Sequence, residues 1–412
     1  MTRGVGIGGV IGSGEGGLRI QVAVEGAVIT AVALTSTRPV NACSIFVGRR
    51  LAEVMALLPR LFNLCGAAQA VAGLQAAETA LDLHVTPAQA AARRMLVAAE
   101  ALEQALWRIL WDGPNRIGGA PDLAKLKRLR RVLRALRPLL FPDPRWMRIG
   151  GARLAPDRAE LVVTLDEITN VVREAVFGSP MAEGSLRDRQ GFGRWLCTVT
   201  TPATETLRFV DENGLADFGR GAMAPLPEFD PVLFDRRLAN DVDYSFCARP
   251  DHEGVVGETG APARHWNHPL LAALRADYGN GLLARLTAWV VECESLIAEL
   301  REQAGRLDDE NPAPAATETA CGSGLGMVEC ARGRLVHWLA ATEGRVSAYR
   351  ILAPTEWNFH PKGPLVHGLT GARVGPGTSI RQAIELFVTA LDPCVAFEVD
   401  LAARAGKTPR TR

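Results

Sequence analysis

The sequence predicts a mainly helical α+β protein. Three observations lead there. Several long stretches carry apolar residues at helical spacing, and one N-terminal stretch alternates apolar with other residues. The composition is that of a globular chain, with 412 residues, 48% hydrophobic and 22% charged. At about 150 residues per domain, the length allows two or three domains. Lys plus Arg number 46 and Asp plus Glu 45, a net of +1, which argues against a nucleic-acid binder driven by phosphate neutralisation. No apolar run reaches the ~18 residues of a membrane span, so no membrane insertion is expected. Glycines rather than an apolar signal region follow Met1-Thr2-Arg3. With sparse cysteines, the expected compartment is the cytoplasm, with thiols reduced.

The elements follow in order. Gly4 to Gly9 formally reads GxGxxG, but no strand precedes it, so it is a lead-in rather than a nucleotide site. Leu18 to Leu34 alternates through Leu18, Ile20, Val22 and Val24 and turns at Glu25-Gly26, a hairpin with one wet face. From Ser44 to Leu83 the period is helical, with Leu51, Val54, Met55, Leu58, Leu61 and Phe62 on one stripe and Pro59 kinking or restarting the helix. Helical patterns continue at Pro87 to Trp111 and at Ala120 to Leu140. In the latter, seven Lys or Arg residues form a solvated face. Residues 145–265 read as short strands and loops, with one helix near Leu165 to Phe177. Helix returns from His268 to Arg306, and Asn311 to Glu318 is a loop by composition. Helix and strand alternate to Leu352, a turn-rich stretch covers Pro354 to Gly377, and a last helix runs from Ser379 to Leu391.

The eight cysteines are Cys43, Cys65, Cys197, Cys247, Cys293, Cys321, Cys330 and Cys394, with no CxxC pair. That spacing excludes the usual zinc-finger and thioredoxin arrangements. Taken singly, each is most simply a small buried hydrophobe. Cys65 stands before a glycine that permits close approach, and Cys394 follows Asp392-Pro393 just after a helix.

Six segments, in order, resemble the large subunit of nickel–iron hydrogenases. Glu15 to Ile20 (EGGLRI) resembles its E-G-H-L-R-I opening. Pro59 to Glu78 resembles the segment carrying the first R-x-C-G-x-C motif. Asp243 to Arg264 resembles a Y-S-W…E-x-G-P-x-A-R stretch, and Ala331 to His337 (ARGRLVH) resembles P-R-G-A-L-G-H. Ala353 to Pro361 resembles P-T-T-W-N-x-x-P, and Asp392 to Asp400 resembles the final D-P-C-x-x-C-x-x-H. The departures are as informative. The first cysteine of each family pair remains, as Cys65 and Cys394, whereas the second positions hold Ala68 and Phe397. Asn63 replaces the family arginine, and Asp400 replaces the histidine at which a protease cuts the precursor. In this pattern the chain is similar to the HupK/HoxV-type hydrogenase maturation proteins.

The resemblance implies one large-subunit-like domain over 1–412. It would have an N-terminal β segment (15–36), a helical core (44–142 and 268–345), a mixed segment (145–265) and a C-terminal site segment (353–400). The N-terminal hairpin layer would flank a core of long helices. It also implies a scaffold, not an enzyme, that holds or assembles an iron–cyanide–carbonyl fragment and passes it to the apo hydrogenase large subunit. A small HypC-type chaperone and other maturation factors would take part. A nickel–iron centre needs four sulfurs, two of them bridging, and two thiolates cannot supply that field, so no nickel is expected. Two thiolates, Cys65 and Cys394, can hold one ferrous ion transiently when diatomics fill its other positions. Joint ligation requires the C-terminal segment to fold back on the N-terminal helix.

Arg332 is the expected donor to the cyanide nitrogens. Glu15, His337 and Asn358 are placed in support around the site, with Trp357 and Asn358 fixing a turn beneath it. His337 and His360 are read as hydrogen-bonded structural histidines, and Glu398 and Asp400 as solvated. Without the histidine at 400, the tail 401–412 is expected to be retained. Two other readings fit the same motifs: a metal-free structural or docking relic of a large subunit, and a hydrogen-active subunit, which Ala68 and Phe397 disfavour.

Overall fold

A computed structural model of the chain describes residues 16–178, 186–221, 223–312, 321–375 and 377–402. The glycine-rich lead-in, Glu15 and the tail after 402 lie outside the described residues. The predicted hairpin forms as β1 (Gly17–Glu25) and β2 (Val28–Ser36), antiparallel and closed by Glu25 opposite Val28. Gly26 takes the turn at φ 61°, where a side chain would be strained. Leu18, Ile20 and Val22 point into the core, as alternation requires. The last strand, β6 (Ala396–Ala402), pairs parallel to β1 with Leu18 opposite Phe397 and Ile20 opposite Val399. The first and the last described strands therefore share one sheet, of order β2-β1-β6.

The first helix, α1 (Leu51–Leu61), buries Leu51, Val54, Met55 and Leu58. The expected stripe stops there, because Leu61 is 48% exposed. Pro59 lies in the last turn, and the chain then bends by 91° into α2 (Gly66–Ala80). A Cβ at Gly66 would stand 3.1 Å from the Pro59 Cβ, so glycine lets the corner close. Next, α3 (Pro87–Trp107) starts at Thr86, whose hydroxyl accepts from Gln89 N at 3.1 Å. Its axis then widens through one π turn at Arg108–Asp112. The basic helix Leu123–Leu140 buries Leu126, Leu129, Leu133, Leu136 and Leu140, while Arg128 and Arg130 pair with Glu167, Glu174 and Glu103. No single helix among the described residues is long and apolar enough to cross a membrane.

Two stretches differ from expectation. The segment read as short strands and loops around one helix holds that helix as Arg158–Val172, running on through a π turn to Phe177, and besides it the helices Arg189–Thr198, Pro202–Glu212 and Pro231–Ala239. Each begins on a side-chain cap, at Asp157, Asp188, Thr201 and Asp230. Caps of this kind start short helices whose periodic pattern is too brief to read. After residue 320 the chain is strand rather than alternating helix and strand. The antiparallel strands β3 (Gly322–Cys330), β4 (Gly333–Thr342) and β5 (Arg345–Leu352) make a second sheet. The turn-rich stretch that follows contains the short helices Pro354–Asn358 and Pro364–Leu369. The last helix is Ile380–Leu391.

This second sheet lies directly on α2. A Cβ at Gly322, Gly324 or Gly326 would stand 2.2, 2.2 or 2.1 Å from the carbonyls of Ala80, Ala76 and Ala72. Glycines at every second strand residue thus meet alanines at every fourth helix residue. Gln75 Oε1 accepts from Met327 N at 3.0 Å and fixes the register. Because strand and helix run in opposite directions, the end of β3 arrives at the start of α2.

A valine at 326 has no room. Gly326→Val is expected to destabilise the fold by about 3 kcal/mol through overpacking. Gly193→Ala, in a helix with nothing within 4 Å, is expected to be neutral or stabilising. Denaturant melts of the two variants check the contrast, and equal midpoints would contradict it.

Candidate functional site

Cys65 occupies the corner between α1 and α2, at the start of the second helix. The first amides of α2 are capped from α3 rather than from their own turn. Glu100 accepts from Ala67 N at 2.7 Å and from Ala68 N at 3.1 Å. Ala68, at the position of a family cysteine, is fully buried. Cys394 lies between the last helix and β6. Its thiol accepts from Thr355 Oγ1 at 3.1 Å, and its amide donates back to that oxygen at 3.3 Å.

The segment linking β3 to β4 carries Arg332, only 4% exposed. Arg264 anchors this turn, donating to the carbonyls of Cys330 and Ala331 at 2.9 and 3.2 Å. Gly333, at φ 125°, lets the turn pass Thr259, whose hydroxyl would sit 2.2 Å from any Cβ there. Arg332 donates to Gln104 Oε1 at 3.2 Å, and its Nε lies 3.4 Å from Asp392 Oδ1. Its Nη1 has no hydrogen-bond partner among the described residues. The guanidinium borders a small cavity shared with Gly260, Trp289, Asn358, Leu391 and Asp392. A buried donor left without a partner is one of the costlier features a fold can carry.

Both thiols lie within electrostatic reach of Arg332 and of each other. A second cation, Arg38, faces both of them while paired with the buried Glu356. Burial raises the Cys65 thiol well above its ordinary value, and Cys330 and Glu100 push it further against the pull of Arg332. Cys330 is itself pushed up to about 11 by burial. Without a cationic ligand, Cys65 is therefore a neutral thiol. Among the described residues, no three His, Cys, Asp or Glu side chains are grouped so as to hold a metal ion.

His337, on β4, is fully buried between Tyr349 Oη and Gln69 Oε1, each at 2.8 Å. Gln69 Nε2 donates to Cys65 Sγ at 3.4 Å. Burial pulls His337 down to about 3, so it is neutral. Asn358 ties three segments, accepting from Thr259 N at 3.0 Å and donating to the carbonyls of Thr259 and Leu391. His360 accepts from Lys362 N and holds its own turn. On β6, Glu398 is half-buried and Asp400 exposed, and both face Arg19, at 3.6 and 3.7 Å. Phe397 lies under the Arg116 guanidinium, 5.3 Å from the ring centroid. Glu15, placed by the sequence beside the site, lies outside the described residues.

Sequence reasoning missed Glu100, Gln69, Arg38 and Cys330. Only Cys330 had a readable signal, as it directly precedes the Ala331–His337 stretch. Burial lifts Glu100 to about 7 from its ordinary 4.5, against the two amides and Arg332 that favour its anion. The folded state then holds this proton more tightly than the unfolded chain. Stability is therefore expected to fall as pH rises from about 4.5 to about 7. Glu100→Gln should lack that fall. Thermal midpoints of both proteins across this range check it, and a difference that does not vary with pH would refute it.

The model of the nickel-dependent hydrogenase family matches residues 272–399. The hydrogenase expression/formation protein HupK of Bradyrhizobium diazoefficiens is 32% identical over 92% of this chain and 95% of its own length. HoxV of Cupriavidus necator, also a hydrogenase expression/formation protein, is 28% identical over 91% and 94%. Among solved structures, the oxidised Ni-Fe-Se hydrogenase from D. vulgaris Hildenborough superposes with a TM-score of 0.67. It does so at 17% identity, covering 90% of this chain and 95% of that one, a likeness of fold. The long similarity to HupK, together with this shared fold, places the chain: it belongs to the HupK/HoxV family of hydrogenase expression/formation proteins, built on the α+β fold of the nickel–iron hydrogenase large subunit.

Proposed function

We propose that this protein is a non-enzymatic scaffold in hydrogenase maturation, in the cytoplasm, and that its cargo is an iron–cyanide–carbonyl fragment held between Cys65 and Cys394. The observation that carries the reading is the convergence of two distant thiols on one buried guanidinium with an unpartnered donor. The residues suit such a cargo. Thiolates are soft ligands for low-spin iron, and cyanide nitrogens accept strong charge-assisted hydrogen bonds. Arg332 Nη1 is the donor available to them.

Loading must displace the proton of Cys65, since burial keeps the free thiol neutral. Arg332 and Arg38 compensate the negative charge that the cargo brings into the fold. Two anchors rather than four make release easier, which suits transfer to the apo large subunit, with a small HypC-type chaperone and other maturation factors as partners. Nickel has no place in this scheme, because Ala68 and Phe397 supply no bridging sulfur.

The test is an infrared spectrum of protein purified without oxygen from cells expressing the maturation genes. Cyanide and carbonyl stretches are expected in the wild type and should be lost in both Cys65→Ser and Cys394→Ser. Protein that shows no such bands yet complements a deletion strain would assign it a docking role instead.

A further inference from the structure

We infer that Tyr349, His337 and Gln69 form a one-way chain of hydrogen-bond donors that ends on the Cys65 sulfur and stabilises it as an anchor once loading has removed its proton. The inference rests on Cys65 being the cargo anchor, and it assigns positioning roles to Gln69 and Tyr349.

The geometry fixes the direction of the chain. Tyr349, on β5, is fully buried, and its hydroxyl has no hydrogen-bond partner other than His337 Nδ1 among the described residues. A buried hydroxyl proton without an acceptor is costly, so Tyr349 donates. A neutral His337 that accepts at Nδ1 carries its proton on Nε2. That proton goes to Gln69 Oε1, 2.8 Å away, which can only accept. The amide is thereby oriented with Nε2 toward Cys65 Sγ, at 3.4 Å. Reversing the chain would strand the tyrosine proton in the core.

The surrounding packing preserves this arrangement. A Cβ at Gly73, one turn beyond Gln69 on α2, would lie 3.0 Å from Tyr349 Oη, so glycine makes room for the hydroxyl. The His337 and Tyr349 rings meet edge to face at 5.7 Å, which holds both rotamers. A donor on a thiolate lowers its electron donation to a bound metal, so the chain should weaken the Cys65–iron bond.

Two measurements test this. The first needs no cargo: nitrogen NMR of histidine-labelled apo protein reads the tautomer of His337, assigned by its loss in His337→Gln. The Nε2–H form is expected, and the Nδ1–H form would overturn the inference. The second is the carbonyl stretch of loaded protein, which should move to lower wavenumber in Gln69→Leu as the sulfur donates more strongly. Tyr349→Phe, which keeps the ring, should give a smaller shift in the same direction and serves if Gln69→Leu does not fold. Bands that stay put in folded variants would overturn the chain while leaving the anchor standing. A wild type without bands would remove the anchor reading, and the tautomer alone would then decide the direction of the chain.

Discussion

The contact on which the rest of the structure depends is the bare one between α2 and β3. Three glycines on the strand lie against the backbone of three alanines on the helix, with no side chain between them. Such close approach fixes distance and register together, because any added methyl group meets a carbonyl oxygen. Through it the helix that begins at Cys65 and the strand that ends at Cys330 become one rigid unit. The turn carrying Arg332 is then set beside the cysteine corner. The same register lets His337, on the neighbouring strand, reach down to Gln69. A looser helix-on-sheet contact, cushioned by leucines, would leave those groups several ångströms apart.

Charge is the second constraint. Arg332 and Asp392 are both nearly removed from water and face each other, and Asp392 also pairs with Arg108. Asp392 takes a left-handed conformation at the end of the last helix, which turns the chain toward Cys394. Asn358 pins that same helix end to Thr259. The cation therefore does more than face the thiols, since its counter-ion positions one of them. Removing one partner of such a pair leaves an uncompensated buried charge.

Much of the framework was legible because its periods are strong. The β1–β2 hairpin announces itself by alternation and a Glu-Gly turn, and the leucine stripe of the basic helix by spacing alone. The sheet β3–β5 was harder, since β4 is buried on both faces and LVHWLAA does not alternate. The middle helices hid behind glycine and proline, although their caps stood in plain sequence. At the site, the two thiols and Arg332 were legible through family motifs. Glu100, Arg38 and Gln69 were not, because their roles come from tertiary approach: Glu100 caps a helix that is not its own, and Arg38 meets its counter-ion from the far side of the chain.

The parallel pairing of β6 with β1 has a consequence for biosynthesis. Nearly all the described residues lie between β1 and β6 in sequence, so the hydrophobic face of the hairpin waits for that whole span to be made before its neighbour arrives. Cys394 enters its place with the same strand. A nascent chain that stops short of β6 thus has the Cys65 corner without the Cys394 turn. The order of synthesis itself keeps these two cysteines apart until β6 has been made.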